Sequence, residues 1–383
     1  MSIAQGRPVN DGDPAYVLLE DGTRFDGVAC AADDLAVGEV VFTTSMSGYQ
    51  EAVTDPSYAG QLLVFTYPQI GNYGVSRGAM ESDRIHARAA IMRAGVDRAD
   101  APDAEQGWLS WLKEHGVPAI TELDTRALVR HIRRQGAMRG GLFPARVDEH
   151  RARELIEIEP PMGGRDLVGA VTASERTVLE GGSLRIAILD TGVKRSIVSE
   201  LHSRGATVEL HPSTASAPEL LESGPDAVLL ANGPGDPGAL DYIVDTVGRL
   251  VGRVPVYGIC LGHQLLCRAL GLETYKLPFG HHGANHPVKD LVRAQIEITS
   301  QNHGFAVLGP DGSRTIEGDE AVSWETAYGT AELTHINLYD RTVEGLAMRD
   351  VPAATVQYHP EAGPGPRDAL HLFDRFIEGA RAA

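Results

Sequence analysis

The chain has 383 residues, with 34 basic and 52 acidic side chains and a net charge of −18. That length suggests two domains or three, and the charge is shared evenly: 18 basic and 27 acidic residues through Glu180, then 16 and 25, so each part is −9. With 43% apolar and 22% charged residues the chain is globular, and its acidity argues against nucleic acid or a membrane surface as partner.

In chain order, the first half offers short strands at 16–19, 40–43 and 61–65, separated by turn-rich stretches. Helices follow at about 105–115 and 124–135, the second with Asp124 as N-cap and Gly136 just past its end. This is an α+β pattern. Residues 144–182 are rich in charge, Gly and Pro, which places the domain boundary there. The expected division is an N-terminal domain over 1–183, with its core at about 14–145 and a linker at about 146–183, then a domain over 184–383.

The second half alternates strands with helices. Strands are expected at 184–189, 207–210, 227–230, 254–258, 296–299, 343–348 and 354–358. Helices are expected at 196–203, 239–251, 261–270 and from about 367. Strand-helix-strand repetition with short loops implies an α/β fold with a doubly wound, mostly parallel sheet.

Cys30, Cys260 and Cys267 cannot all pair, and none forms a C-x-x-C motif, so neither a disulfide framework nor structural zinc is expected. The N-terminus has no leader pattern, and apolar runs such as 227–231 are far too short to span a bilayer. A cytoplasmic, soluble protein is the expectation.

The sharpest chemical signal is Gly258-Ile-Cys-Leu-Gly262, directly after one expected strand and before one expected helix. That is the context of a nucleophile elbow with cysteine as nucleophile. The glycines allow strand and helix to approach closely, and the helix N-terminus favours a thiolate. A buried structural cysteine is the competing reading, and it suits Cys267 better. His359-Pro-Glu361, at the end of another expected strand, offers a base and its orienting carboxylate, since residues two apart in extended chain project to one side. The backbone N–H of Leu261 and the loop Gly233-Pro-Gly235 are candidates for an oxyanion hole. Gln264, one helical turn beyond Cys260, faces the same way and can hold a polar substrate, or else is an exposed helix residue. His281-His-x3-His286 suggests a metal only weakly, because it lies in a Gly/Pro loop with no cysteine or carboxylate set beside it. Arg126, Arg130, Arg133, Arg134 and Arg139 form a local basic patch, suited to a solvated face or a partner interface.

Gly258-Ile-Cys-Leu-Gly-His-Gln264 together with His359-Pro-Glu361 resembles the triad-type (class I) glutamine amidotransferases. Ala231-Asn-Gly-Pro-Gly-Asp-Pro237 fits the same family with one change. Phe279-Gly-His-His-Gly-Ala-Asn-His-Pro-Val-Lys289, Gln301-Asn-His-Gly-Phe-Ala-Val307, residues 39–51, Thr54-Asp-Pro-Ser-Tyr58 and Asp124-Thr-Arg126 are similar to the small-subunit family of glutamine-dependent carbamoyl-phosphate synthases in particular. Ser196 departs from the Asn usual in that family.

The resemblance implies a glutaminase that passes ammonia to a large synthetase subunit, which makes carbamoyl phosphate from bicarbonate and ATP. It implies a Cys260–His359–Glu361 triad and a glutamine pocket formed by Ser57, Gly233, Gly235, Leu261, Gln264, Asn302, Gly304 and Phe305. No cofactor or metal is expected on this chain, ATP and its metal ions belonging to the large subunit. A heterodimer is expected, with further assembly open. The alternatives are a glutaminase serving another synthase, a non-catalytic regulatory subunit, or a Cys-His-Glu hydrolase of peptides or folate conjugates.

Overall fold

The computed structural model describes residues 12–318 and 322–382. The chain forms two compact units, Met1–Met162 and Gly163–Ala383.

The first unit is built on a closed barrel of seven strands: β1 (Pro14–Leu19), β2 (Arg24–Ala29), β3 (Ala36–Thr43), β4 (Gln61–Phe65), β5 (Ala89–Ile91), β6 (Ala119–Thr121) and β7 (Met138–Pro144), in the order β1-β2-β6-β5-β4-β3-β7 and back to β1. The expected strands are there, but the closure is not something three short apolar runs reveal. β3, β4, β5 and β6 run parallel, so each link between them must cross over. Those crossovers carry α1 (Tyr49–Thr54) and α2 (Trp108–Glu114), and α3 (Thr125–Gln135) and α4 (Glu149–Ile158) follow in the chain. Trp108 is fully buried, lies 4.8 Å from the Tyr49 ring, and donates its indole N–H to Met92 Sδ at 3.3 Å. Asp124 caps α3 through the Ala127 N–H, and Gly136 ends it at φ 99°, as the sequence indicates.

The stretch 146–183 is not bare linker. Asp148 caps α4, whose Ala152 and Ile156 bury against Tyr16, Leu18 and Phe143, and the Tyr16 hydroxyl donates to Val147 O at 2.7 Å. Charged residues fill the outer face of this helix and mask a narrow apolar stripe of Ala152, Leu155 and Ile156.

The second unit holds an eleven-stranded sheet among its described residues. Its strands are β8 (Thr177–Leu179), β9 (Leu184–Asp190), β10 (Ala206–Pro212), β11 (Ala227–Leu230), β12 (Val256–Ile259), β13 (Thr274–Asp290), β14 (Gln295–Val307), β15 (Ser323–Thr326), β16 (Gly329–Asn337), β17 (Val343–Met348) and β18 (Ala353–Val356). The order is β14-β13-β16-β17-β18-β12-β11-β9-β10-β8, with β15 on β16. Only β10, β9, β11, β12 and β18 are parallel; the other pairings are antiparallel, so "mostly parallel" holds for one half of the sheet.

The helices are α5 (Arg195–Ser203), α6 (Ala217–Leu221), α7 (Asp241–Gly248), α8 (Leu261–Ala269) and α9 (His371–Ala382). Strand periodicity explains the double winding: Ile186 and Ile188 pack with Ile197, Leu201, Phe373 and Ile377 from α5 and α9, whereas Ala187 and Leu189 pack with Leu220, Ile243, Val247 and Leu265 from α6, α7 and α8. The expected Gly/Pro loop around His281 is instead the middle of β13, whose register against β14 shifts on either side of His281–Gly283. Bulges absorb the glycines that read as loop signals.

Candidate active site

β12 runs directly into α8, and Cys260 is the single residue between them, at φ 56° and ψ −107°. A non-glycine side chain in that region costs about 1–3 kcal/mol and persists only where its surroundings impose it. They do. A Cβ on Gly258 would lie 2.6 Å from the Gly262 backbone, and one on Gly262 would lie 2.1 Å from Leu230 O. The turn is therefore as tight as its two glycines allow. The Cys260 N–H donates to Val356 O at 2.9 Å, which ties it to β18, and its sulfur donates to Asn302 O at 3.5 Å, which ties it to β14.

Just beyond β18, the His359 N–H donates to Ser300 O at 2.9 Å. His359 and Glu361 do not meet as alternate residues of a strand, because β18 ends at Val356. A turn closed by the Ala362 N–H on His359 O brings them together instead, with Nδ1 and Oε1 at 2.7 Å. Both are buried, and His359 Nε2 has no hydrogen-bond partner among the described residues.

Lys194, which belongs to none of the motifs read from the sequence, completes this arrangement. It sits at the start of α5 with its side chain 2% exposed, and Nζ reaches Glu361 Oε1 at 3.0 Å and Ala362 O at 2.7 Å. Burial disfavours charge on every one of these groups, yet charge is what their partners impose. Against burial, Lys194 and His359 hold the Glu361 carboxyl down to about 2. Burial likewise opposes the His359 imidazolium, but Glu361 and then Cys260 raise it to about 10. The only signal that could have found Lys194 is a lysine just after a buried strand at the end of which ligands bind.

The remaining expected residues of this unit lie in the loop after β11, on α8 and on β14. A Cβ on Gly233 would lie 2.1 Å from Thr191 O and 3.0 Å from the Leu261 side chain, so only glycine lets this loop pass beside the helix start. Leu261 is the first residue of α8, where an N–H has no acceptor within its helix. Gly235 has φ 94°, the left-handed region glycine favours. Gln264 is 3% exposed, which removes the surface reading, and its Nε2 donates to Phe305 O at 2.9 Å and Gln357 Oε1 at 3.0 Å. Asn302 and Phe305 are buried beside Gly304 on β14. Ser57 belongs to the first unit, buried in the turn Pro56–Tyr58, its N–H bound to Asp55 Oδ1 at 2.9 Å.

Behind this part of β14 lies a polar network that also corrects an expectation. Gln301 donates to Glu344 Oε2 at 2.9 Å, His303 reaches Gln301 Oε1 at 2.9 Å and Phe305 O at 2.7 Å, and Asn337 donates to Glu344 Oε1 at 2.8 Å. His281 joins it through Asp340 at 2.7 Å and faces Glu344 at 3.7 Å. Burial lowers the His281 pKa, and the two carboxylates more than reverse that, to about 9. The histidine pair thus does have carboxylates beside it. Ligand atoms of His281, His303 and Glu344 come within 4.8 Å of one another, but both His303 nitrogens are already engaged within the protein.

Residues 17–142 match the model of the carbamoyl-phosphate synthase small chain, CPSase domain, and residues 187–379 match glutamine amidotransferase class-I. The carbamoyl phosphate synthase small chain of Chlorobaculum tepidum is 45% identical over 370 residues, covering 95% of this chain and 97% of that one. That of Methanopyrus kandleri is 46% identical over 371 residues, 96% and 99% of the two chains. The Symbiobacterium thermophilum protein of the same name is 45% identical over 366 residues, 94% and 96%. With both halves matched in order and relatives aligned over nearly their whole length, the chain belongs to the carbamoyl-phosphate synthase small-chain family.

Proposed function

We propose that Cys260, His359 and Glu361 carry out the glutamine hydrolysis by which a small chain of this family supplies ammonia to its large synthetase subunit. What supports this reading above all is the strained turn of Cys260 beside a buried His359–Glu361 pair whose Nδ1–Oε1 distance is 2.7 Å. It has the form of a nucleophile elbow with its base and orienting acid.

In this mechanism the Cys260 thiol gives its proton to His359 as its sulfur attacks the glutamine carboxamide carbon, and the N–H groups of Leu261 and Gly233 take up the charge on the carbonyl oxygen. His359 gives its proton to the departing nitrogen, so the C–N bond breaks and ammonia leaves a thioester on Cys260. Neutral His359 then takes a proton from water, which attacks the thioester and releases glutamate. Glu361 holds the imidazole in one tautomer and stabilises its cation. Ser57, Gly235, Gln264, Asn302, Gly304 and Phe305 hold the glutamine. ATP and its metal ions are bound by the large subunit, and the reaction takes place in the cytoplasm; no described helix is long and apolar enough to cross a membrane.

The test is Cys260→Ser assayed with the large subunit. Carbamoyl phosphate synthesis from glutamine is expected to vanish while synthesis from added ammonia survives. Equal loss of both would overturn the catalytic assignment.

A further inference from the structure

On the face of the sheet that α9 covers, the second unit buries another polar cluster, and the mechanism above makes no use of it. Asp290 ends β13 and pairs across the ladder with His335 of β16. Glu297 of β14 pairs with Val288, two residues before Asp290, so the three side chains share that face. His371, the first residue of α9, comes down beside them. Ligand atoms of Asp290, Glu297 and His371 all lie within 4.8 Å of one another, and His335 Nε2 lies 3.7 Å from Asp290 Oδ2. Asp290, Glu297 and His335 are only 0%, 4% and 3% exposed.

Four buried atoms here have no hydrogen-bond partner among the described residues: Asp290 Oδ2, Glu297 Oε2, His335 Nε2 and the Tyr358 hydroxyl. Native interiors satisfy such atoms almost without exception, so four in one place call for a ligand. Tyr358 belongs with the rest, its ring 5.6 Å from that of His335. Burial, then Glu297, Glu344 and Asp290, push its hydroxyl well above the ordinary phenol value. The other end of each side chain is fixed. Asp290 Oδ1 accepts the Val292 and Arg293 N–H groups at 2.8 and 2.9 Å, and His335 Nδ1 meets the Thr334 hydroxyl at 2.9 Å. Glu297 Oε1 meets Arg293 at 2.8 Å and His371 at 2.6 Å. One atom held and one atom free is how a surrounding shell orients metal ligands. Burial also lowers the His335 pKa, so its ring is neutral and Nε2 carries a lone pair when Nδ1 donates to Thr334.

We propose that Asp290, Glu297, His335 and His371 form a site for one divalent transition-metal ion of the zinc class, although the sequence led to no expectation of a metal on this chain. Two carboxylate oxygens and two imidazole nitrogens suit Zn²⁺ better than Mg²⁺ or Ca²⁺, which prefer oxygen alone. At metal–ligand distances of about 2.0–2.2 Å, tetrahedral neighbours stand about 3.4 Å apart. The 3.7 Å between His335 and Asp290 is close to that, and small side-chain rotations bring in the others. His371 Nε2 cannot both accept from Arg293 Nη1 at 2.7 Å and donate to Glu297 Oε1 at 2.6 Å, so one of these contacts is unsatisfied as it stands. Arg293 lies at the rim, its side chain 38% exposed, and can turn to solvent; the same rim, past the partly exposed His371, is the entry path. An ion here ties β13, β14 and β16 to the start of α9. With four protein ligands it keeps no open position for a substrate, so its role is structural.

The experiment titrates the full-length chain with Zn²⁺ by equilibrium dialysis, in a Cys260→Ser parent so that the active-site thiolate and imidazole cannot hold the metal. One equivalent is expected to bind tightly and to raise the melting temperature. His371→Asn and Glu297→Gln are each expected to weaken binding at least about 100-fold, since loss of an outer-shell partner alone costs 10–100-fold. Both abolish the zinc-dependent melting shift, while His281→Asn keeps it. X-ray absorption of the zinc-loaded parent reads the site without any of these variants: a shell of nitrogen and oxygen alone, with two imidazoles, is expected. Absence of saturable zinc binding by the parent overturns the inference, as does sulfur in the metal shell. Binding that survives both His371→Asn and Glu297→Gln overturns it equally. Zinc lost from folded His281→Asn protein but kept by His371→Asn overturns it in favour of His281, His303 and Glu344.

Discussion

Lys194→Met removes one charge from the buried chain of Lys194, Glu361 and His359 and leaves the others in place. Methionine fills a similar volume, so the change is mainly electrostatic. The Glu361 carboxylate, fully buried, loses the cation 3.0 Å away that does most to keep it ionised. Breaking a buried pair from one side costs about 3–5 kcal/mol, and a domain of this size loses about 2–4 °C of melting temperature per kcal/mol. The second unit is therefore expected to melt about 6–20 °C lower. The double variant Lys194→Met with Glu361→Gln strands no charge, and is expected to be at least about 1 kcal/mol more stable than the two single losses predict. Catalysis supplies an independent readout. Lys194 opposes the proton on His359, so without it His359 holds that proton to higher pH. The limb of the glutaminase profile that requires neutral His359 then moves toward alkaline pH. Additive losses in the double variant, or a pH limb unmoved in a folded Lys194→Met protein, would refute this account.

The pair itself has a signature in stability against pH. Glu361 falls from 4.5 to about 2, so its contribution is present above pH 4.5 and is lost as pH falls through 2. His359 rises from 6.5 to about 10, so its contribution is complete below pH 6.5 and is lost as pH climbs through 10. The melting-temperature gap between wild type and His359→Gln should therefore be widest between pH 4.5 and 6.5 and close toward pH 10. Glu344→Gln loses an acceptor for Gln301 or Asn337 and loosens the backing of Asn302–Phe305; a severalfold rise in KM for glutamine with a smaller change in kcat is expected, and a KM within twofold counts against it. Gly262→Ala drives a methyl group into Leu230 O, and soluble, folded protein with normal glutaminase activity would contradict the close-packed turn. The isolated chain is expected to hydrolyse glutamine slowly and to speed up with its large subunit; full activity alone would argue against coupling between them.

What the sequence made legible is what depends on neighbours in the chain. The Cys260 turn is written in five consecutive residues, because the same glycines that flank the cysteine make its strand-to-helix transition sterically possible. The cap and stop of α3 are equally local. His359 and Glu361 do meet, but a turn rather than strand alternation joins them. The glycines of β13 are local loop signals, and the register shifts beside them exist only in relation to the partner strand β14. Closure of the first unit is likewise a property of pairings between β1, β2 and β7, invisible in any one of them.

Lys194 marks the limit most clearly. It is 167 residues from Glu361, and its place just after a buried strand is all that separates it in sequence from a solvated lysine. Its significance comes from being buried, and burial of an ammonium is tolerable only because a carboxylate and a carbonyl meet it. That carboxylate in turn stays ionised through the lysine and orients the histidine.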